Sequence, residues 1–167
     1  GKNAFVQVFE STRGMRVGDE AEFEGHMLEV TLGPGMLSRN YDGLQNDLDK
    51  MEGVFLRRGE YTFPLDNDKL WDFKPLAKVG DKVTAGGWLG EVDENFQPHK
   101  IMVPFTFKGE YTVKSLKEAG QYTIGEVIAV LTDETGKDVE VTMIQRWPVK
   151  RAITCYKEKP RPYKLLE

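Results

Sequence analysis

Glycine-rich loops can cradle phosphate, and two strings in this chain invite that chemistry, Gly33-Pro34-Gly35 and Gly136-Lys137-Asp138. A P-loop needs Gly, four residues, Gly-Lys and then Ser or Thr, so that backbone amides wrap the phosphates and the hydroxyl holds magnesium. The first string has no lysine at that spacing and loses one amide donor to proline; the second carries aspartate where the hydroxyl belongs. The dinucleotide fingerprint is also absent, so both strings read as turns. Asp66-Asn67-Asp68 opens like a calcium loop, but Leu70 stands where a ligand is needed and Trp71 where the loop requires glycine. It reads as a surface turn. His26 and His99 have no carboxylates or histidines clustered at ligand spacing, and no serine, threonine or cysteine has an adjacent histidine to activate it. The single cysteine, Cys155, rules out an internal disulfide and a Cys-based zinc cluster. The expectation is a chain with no catalytic, cofactor-binding or metal-ligating residue of its own.

Charge narrows the partners. The 167 residues carry 23 basic and 27 acidic side chains, a formal charge of -4. No global positive field is available for nucleic acid or an anionic membrane. The segment from Arg146 to Lys164 is the exception, with seven basic residues and only Glu158 acidic, interleaved with Trp147, Tyr156 and Tyr163. Such a mixture could hold single-stranded nucleic acid. Without a folded nucleic-acid motif, it reads instead as a solvated connector or an arm on an acidic protein surface. No stretch approaches the ~20 apolar residues of a membrane span, and Gly1-Lys2-Asn3-Ala4 has no hydrophobic signal core. The chain reads as a piece of something longer.

The elements that must position these residues are strands. Hydrophobic residues make up 40% of the chain, enough for a packed core. Ala4 to Glu10 alternates apolar and polar; Glu20–Phe23 and His26–Leu32 are shorter strands around a Glu24-Gly25 turn. Leu44, Leu48 and Met51 share one helical face, which predicts a short helix over 44–51. From Val54 to Thr142 strands and glycine turns return. Val79-Gly80-Asp81 through Gly90-Glu91-Val92 can be laid over Ala119-Gly120-Gln121 through Val130-Leu131, with one residue dropped. Each copy is a glycine turn, a short strand, a second turn and an apolar strand. Two such hammerheads can close over each other and hide their edges. The expected fold is mainly β, a barrel-sandwich-hybrid-like domain over about 54–144. Its expected core is Trp71, Val83, Trp88, Leu89, Val92, Ile101, Val103, Leu116, Val127, Ile128, Val130 and Val141. Beyond Gln145, Trp147-Pro148 and Lys159-Pro160-Arg161-Pro162 block regular pairing, which predicts an extended, poorly packed segment over 146–167.

Biotinyl and lipoyl carrier domains are built from paired hammerheads and present a lysine at a hairpin tip. The candidate here is Lys100, in Pro98-His99-Lys100-Ile101-Met102-Val103-Pro104. It lies close to the next strand, and no methionine precedes it. A carrier or hybrid-motif domain of unrelated function is the alternative reading.

Several strings together resemble one family. Leu32-Gly33-Pro34-Gly35-Met36-Leu37 with Tyr41-Asp42-Gly43-Leu44-Gln45 is similar to the start of the central region in rotary-ATPase catalytic subunits. Trp71-Asp72-Phe73-Lys74-Pro75-Leu76, Val79-Gly80-Asp81-Lys82-Val83, Gly90-Glu91-Val92 and His99 to Pro104 resemble the catalytic A subunits of V-type (A/V-type) ATP synthases. So do Gly109 to Val113, Val127 to Val130 and Gln145-Arg146-Trp147-Pro148-Val149, in the same order along nearly the whole chain.

The resemblance implies a division into the last strands of an N-terminal β-barrel (1–32), an approach to the ATPase core (33–50), the bulge or non-homologous insertion (51–145) and a return segment (146–167). It implies a piece ending before the P-loop, so that ATP, ADP and Mg²⁺ belong to the parent protein and no cofactor to this part. The parent would couple ATP hydrolysis or synthesis to H⁺ or Na⁺ transport, in the cytoplasmic head peripheral to the membrane. Its partners would be the B subunit, the peripheral stalk and the central stalk, with no nucleic acid and no direct membrane insertion. This part would serve as a structural module contacting the peripheral stalk. Two strings depart from the family: Asn46-Asp47 stands where Arg-Pro is usual, and Arg151 to Lys157 replaces a run richer in arginine and proline.

Overall fold

The computed structural model describes residues 8, 11–22, 25, 27–51 and 61–154. Ten strands occur among them: β1 (Glu29–Leu32), β2 (Leu70–Pro75), β3 (Lys82–Val83), β4 (Trp88–Glu94), β5 (Gln97–Met102), β6 (Tyr111–Leu116), β7 (Gly120–Thr123), β8 (Ala129–Asp133), β9 (Asp138–Val141) and β10 (Gln145–Pro148). Every pairing is antiparallel. The mainly β, barrel-sandwich expectation holds.

Two four-stranded sheets, β5-β4-β2-β7 and β3-β6-β8-β9, form the body. Their order exposes the internal repeat. In the first unit, β2 pairs with β4 and β4 with β5; in the second, β6 pairs with β8 and β8 with β9. The short strand of each unit crosses to the other: β3 pairs with β6, and β7 with β2. Each unit thereby covers an edge that the other would leave open. The copies also match residue by residue. Gly90 opposes Ile101 as Ala129 opposes Val141. Leu89, Gly90 and Val92 are buried with Glu91 half out, as are Ile128, Ala129 and Leu131 around Val130.

The core falls into two clusters. One gathers Leu65, Trp71, Phe73, Val92, Ile101, Ile124, Ile128 and Met143; the other gathers Leu89, Val103, Val113, Ala129, Leu131 and Val141. Leu116 packs against both. Of the expected core residues, Trp88 is misplaced: it is 57% exposed. The β4–β5 register shifts between Trp88 and Gly90, so Leu89 and Gly90 both face inward and Trp88 is turned out. Lys100 lies over its ring at 4.9 Å. Val83, Leu116, Val127 and Val130 are half-buried, Val83 because β3 is a two-residue edge strand and Val130 because it faces outward between Ala129 and Leu131.

Three further expectations need correction. The helix over 44–51 shrinks to one 3₁₀ turn, Leu48–Lys50, with Leu44 and Leu48 exposed. Asp42 organises the preceding residues by accepting from the amides of Leu44 and Asn46, which leaves no room for a regular helix. The early strands fall short: residues 20–22 are unpaired and only Glu29–Leu32 of the 26–32 segment is a strand, while most of 4–10 lies outside the described residues. The return segment begins as β10, antiparallel to β1, rather than as free chain. Pro148 sits at the last pair, opposite Glu29, and Trp147 is buried against Phe105 in an edge-to-face contact. Residues 155–167, with Cys155, Tyr156 and Tyr163, lie outside the described residues, as does His26.

Packing between the strands is tightest at Gly90. A Cβ there would overlap the Phe73 ring and stand 2.8 Å from the Lys74 carbonyl oxygen. In the second unit the counterpart pair is Val113 and Ala129, both buried, where the smaller side chain leaves room for a methyl group. Gly90→Ala should therefore destabilise the fold by about 1–3 kcal/mol through overpacking. Ala129→Gly should cost only about 1 kcal/mol, from backbone entropy and a lost methyl group. Urea unfolding of the two variants checks the asymmetry, and equal costs would contradict this account of the packing.

Candidate functional site

The Gly33-Pro34-Gly35 loop, the first candidate for a phosphate cradle, lies on the sandwich rather than open to a ligand. Gly33 has no space beside it: a Cβ would stand 3.2 Å from both Leu65 Cδ1 and the Met143 carbonyl oxygen. Gly35 adopts φ +103° and passes over the Trp71 ring, in a backbone region that favours glycine. The amides that a nucleotide would use are already taken. Gly35 N and Leu37 N both donate to Glu94 Oε1, at 2.7 and 3.0 Å. The anion in this loop is the chain's own carboxylate.

Glu94 is the last residue of β4 and is 3% exposed. Its other oxygen, Oε2, lies 2.7 Å from His99 Nδ1 on β5. An ionised carboxylate only accepts, so Nδ1 carries the proton. Burial pushes the Glu94 carboxyl up, but the hydrogen bonds from His99, Leu37 and Gly35 outweigh it and hold its pKa below the ordinary glutamate range. The composition of the chain hides this site, because Glu94 and His99 carry no ligand-type motif. One signal was available: in an alternating strand, the position two after inward Val92 is inward as well.

A second set of bonds fastens the rest of the approach segment. Gln45 uses both ends of its side-chain amide on Thr31, donating to the carbonyl and accepting from the amide at 2.7 Å each, as a neighbouring strand would. Asn46 and Asp47 are buried and grip Thr62. The Thr62 amide donates to Asn46 Oδ1, and the Asp47 amide donates to Thr62 Oγ1, both at 2.9 Å. Asp47 is paired with Arg39 at 3.1 Å and Lys50 at 3.8 Å. Tyr41 Oη donates to the Pro64 carbonyl, and Lys50 Nζ donates to the carbonyls of Phe63 and Leu65. The latch joins the Asn46 side-chain carbonyl and the Asp47 amide to the amide and hydroxyl of Thr62.

The remaining sequence candidates find structural employment. Asp66 Oδ1 accepts from the amides of Asp68 and Lys69, closing its own turn. Gly136, at φ +86°, turns the β8–β9 hairpin, where Asp133 Oδ1 accepts from the amides of Thr135 and Lys137. Lys100 stands inside β5, ion-paired to Glu91, whereas the hairpin tip beside it is Asn95-Phe96. Among the described residues, no three histidine, cysteine or acidic side chains gather as metal ligands, and no helix is long and apolar enough to cross a membrane.

The comparisons with known proteins agree with one another. The ATPsynthase alpha/beta subunit barrel-sandwich domain matches residues 62–150. The V-type ATP synthase alpha chain of Treponema denticola is 47% identical over 169 residues, covering 99% of this chain and 29% of its own length. That of Borrelia garinii subsp. bavariensis is 47% identical over 165 residues, 97% of this chain and 29% of the relative. That of Borrelia turicatae is 48% identical over 160 residues, 94% and 28%. The chain thus spans less than a third of the length of these curated relatives.

Glu94→Ala would leave two inward amides without their acceptor and should destabilise the chain by about 2–4 kcal/mol in urea unfolding. Glu94→Gln, which keeps one acceptor, should lose less. Since the folded pKa is depressed, the contribution of Glu94 is fully present above the ordinary value of ~4.3 and is lost as the pH falls through the folded value. The loss of stability as the pH falls below the ordinary glutamate value should therefore be shallower in Glu94→Gln. Parallel acid profiles for the two proteins would show that Glu94 is not held ionised by the loop.

Proposed function

As the chain belongs to the ATP synthase alpha/beta subunit family, through its barrel-sandwich domain, we propose that it is the non-catalytic insertion of a V-type ATP synthase alpha chain, an interaction module fastened to the catalytic head. The observation that carries this reading is the occupied glycine loop: the amides of Gly35 and Leu37 hold Glu94, and through it the sandwich. A loop used in this way serves attachment.

The parent protein, in this reading, converts between ATP and ADP with Mg²⁺ and couples that reaction to H⁺ or Na⁺ movement. It does so as part of the cytoplasmic head peripheral to the membrane. Its partners are the B subunit, the central stalk and the peripheral stalk, and the sandwich faces the last of these. Phosphoryl transfer depends on a phosphate-cradling loop, a lysine, bound magnesium and an oriented water. No Gly-x-x-x-x-Gly-Lys-Ser/Thr string occurs between Gly1 and Glu167. The chemistry therefore belongs to other parts of the parent. A body of two interlocked sheets is stiff, which suits a contact that must resist rotor torque.

Two measurements test this. Titration calorimetry of this chain with Mg-ATP at ~0.15 M salt should show no saturable binding, and a micromolar site would relocate the catalytic machinery into it. Purified peripheral-stalk subunits should bind the same chain saturably. Failure of every stalk protein to bind would remove the interaction role and favour the carrier alternative, for which mass addition on Lys100 by a biotin or lipoate ligase is the positive sign.

A further inference from the structure

Asp42 is the one aspartate in the chain that precedes a glycine, and no asparagine does. Such a pair carries a reaction of its own. Glycine has no side chain to shield its amide nitrogen, which lies next to the Cγ of the preceding aspartate. Here Gly43 is exposed, and a Cβ there would meet nothing within 4 Å. Its N–H donates to no group among the described residues. The nucleophile is free.

The electrophile is not. Asp42 Oδ1 accepts from the amides of Leu44 and Asn46 at 2.9 and 2.7 Å, and Oδ2 accepts from Asn46 Nδ2 at 2.9 Å. Burial pushes the carboxyl up, but the bonds from the Asn46 side chain and from the Asn46 and Leu44 amides outweigh it. They hold its pKa below the ordinary aspartate range. An ionised carboxyl resists attack by an amide, because oxide would have to leave. Ring closure also requires these bonds to break. Two of the three donors belong to Asn46, and only its side-chain amide depends on the residue being asparagine.

We propose that Asp42-Gly43 is a modification site, open to conversion into an isoaspartyl linkage, and that Asn46 is the positioning residue that holds it unconverted. The step needs no co-reactant but water. In the acid form of Asp42 the Gly43 nitrogen bonds to Cγ, the Cγ–OH bond breaks, and the hydroxyl leaves with the amide proton as water. Water then opens the succinimide ring. Opening at Cγ restores aspartate; opening at the main-chain carbonyl routes the chain through Cβ and Cγ and leaves that carbonyl as a free carboxylate. The main chain is then longer by one carbon, inside a turn with no slack. Tyr41 is bridged to Asp47, Asp42 N donates to the Asn46 carbonyl, and Gln45 N donates to the Asp42 carbonyl. Gln45 and Asn46 follow directly, so conversion displaces the first from Thr31 and the second from Thr62. The residue that fastens the latch also guards the bond whose rearrangement would open it.

The test ages the 167-residue chain at neutral pH, both folded and held unfolded in urea. Isoaspartyl groups are counted by enzymatic methyl transfer and located by peptide mapping. Folded wild type should convert at Asp42 at least about tenfold more slowly than the unfolded chain. Equal rates overturn the guard without recourse to any variant. Folded Asn46→Ala should convert at least about fivefold faster than folded wild type, having lost one charge-assisted donor. Thr62→Ala loosens the same latch but keeps all three donors, and should stay at the wild-type rate. An unaltered rate in Asn46→Ala, or an equal rise in Thr62→Ala, would reduce Asn46 to a packing residue. Gly43→Ala should suppress conversion in the unfolded chain, and its persistence would refute the ring route. The isoaspartyl form, purified and refolded, should lose amide-exchange protection at Thr62 while Leu131 keeps its own. Protection retained at Thr62 would show that conversion leaves the latch closed and would overturn the consequence drawn for it.

Discussion

A buried carboxylate must be met by donors, and in this chain the donors for Glu94 come from two places far apart in sequence. His99 belongs to the same hairpin, while the amides of Gly35 and Leu37 belong to the approach segment. Neither half is stable in its observed place without the other. A Glu94 facing water would leave the loop amides bare against Trp71 and Leu65; a loop lifted away would leave an anion in an apolar setting. The penalty for an unpartnered ion in low dielectric exceeds that for any single apolar contact. The sandwich and the approach segment are therefore one body, and the sandwich inherits its orientation from the loop.

Interlocking of the two hammerheads supplies the stiffness behind that attachment. Because β3 and β7 each complete the partner unit's sheet, neither unit has a full set of ladder bonds alone. The differences between copies are instructive. Phe73 fills in the first unit a space that Val113 fills in the second, and the facing residue shrinks from alanine to glycine to admit it. The bulky choice lies in the cluster that meets the glycine loop, where Trp71, Leu65 and Met143 also gather. Asymmetry in the repeat thus follows what each copy must support.

Much of the fold was legible in the residues. Trp71 and Phe73, two apart around Asp72, are the buried positions of β2, although apolar Leu70 before them is exposed, and the glycines at 80, 86 and 136 mark turns at positive φ. The weak repeat translated into the strand exchange. What could not be read has identifiable causes. A register shift at Leu89 and Gly90 turned Trp88 outward, and no periodicity anticipates a bulge. Glu94 was invisible as a site because its loop partners lie 57 and 59 residues away, and a glutamate in a charged chain attracts no notice. Asn46 and Asp47 fell inside the expected 44–51 helix, yet they are buried in a turn and hold Thr62. The pairing of β10 was masked by Trp147-Pro148, since proline argues against a strand interior but not against its final residue.

The β1–β10 ribbon has a mechanical meaning as well. Glu29 and Pro148, the outermost pair, lie on the side from which the chain arrives and to which it returns. Force that draws those two ends apart would open the ribbon as a zipper, one rung at a time from Glu29–Pro148 toward Leu32–Gln145. A sideways load on the sandwich is different: it is shared among the ribbon, the Glu94 junction and the Gln45 splint on Thr31, all strained together. The attachment is weak against peeling and firm against shear, so a load can be borne from the flank although the root is only four residue pairs wide.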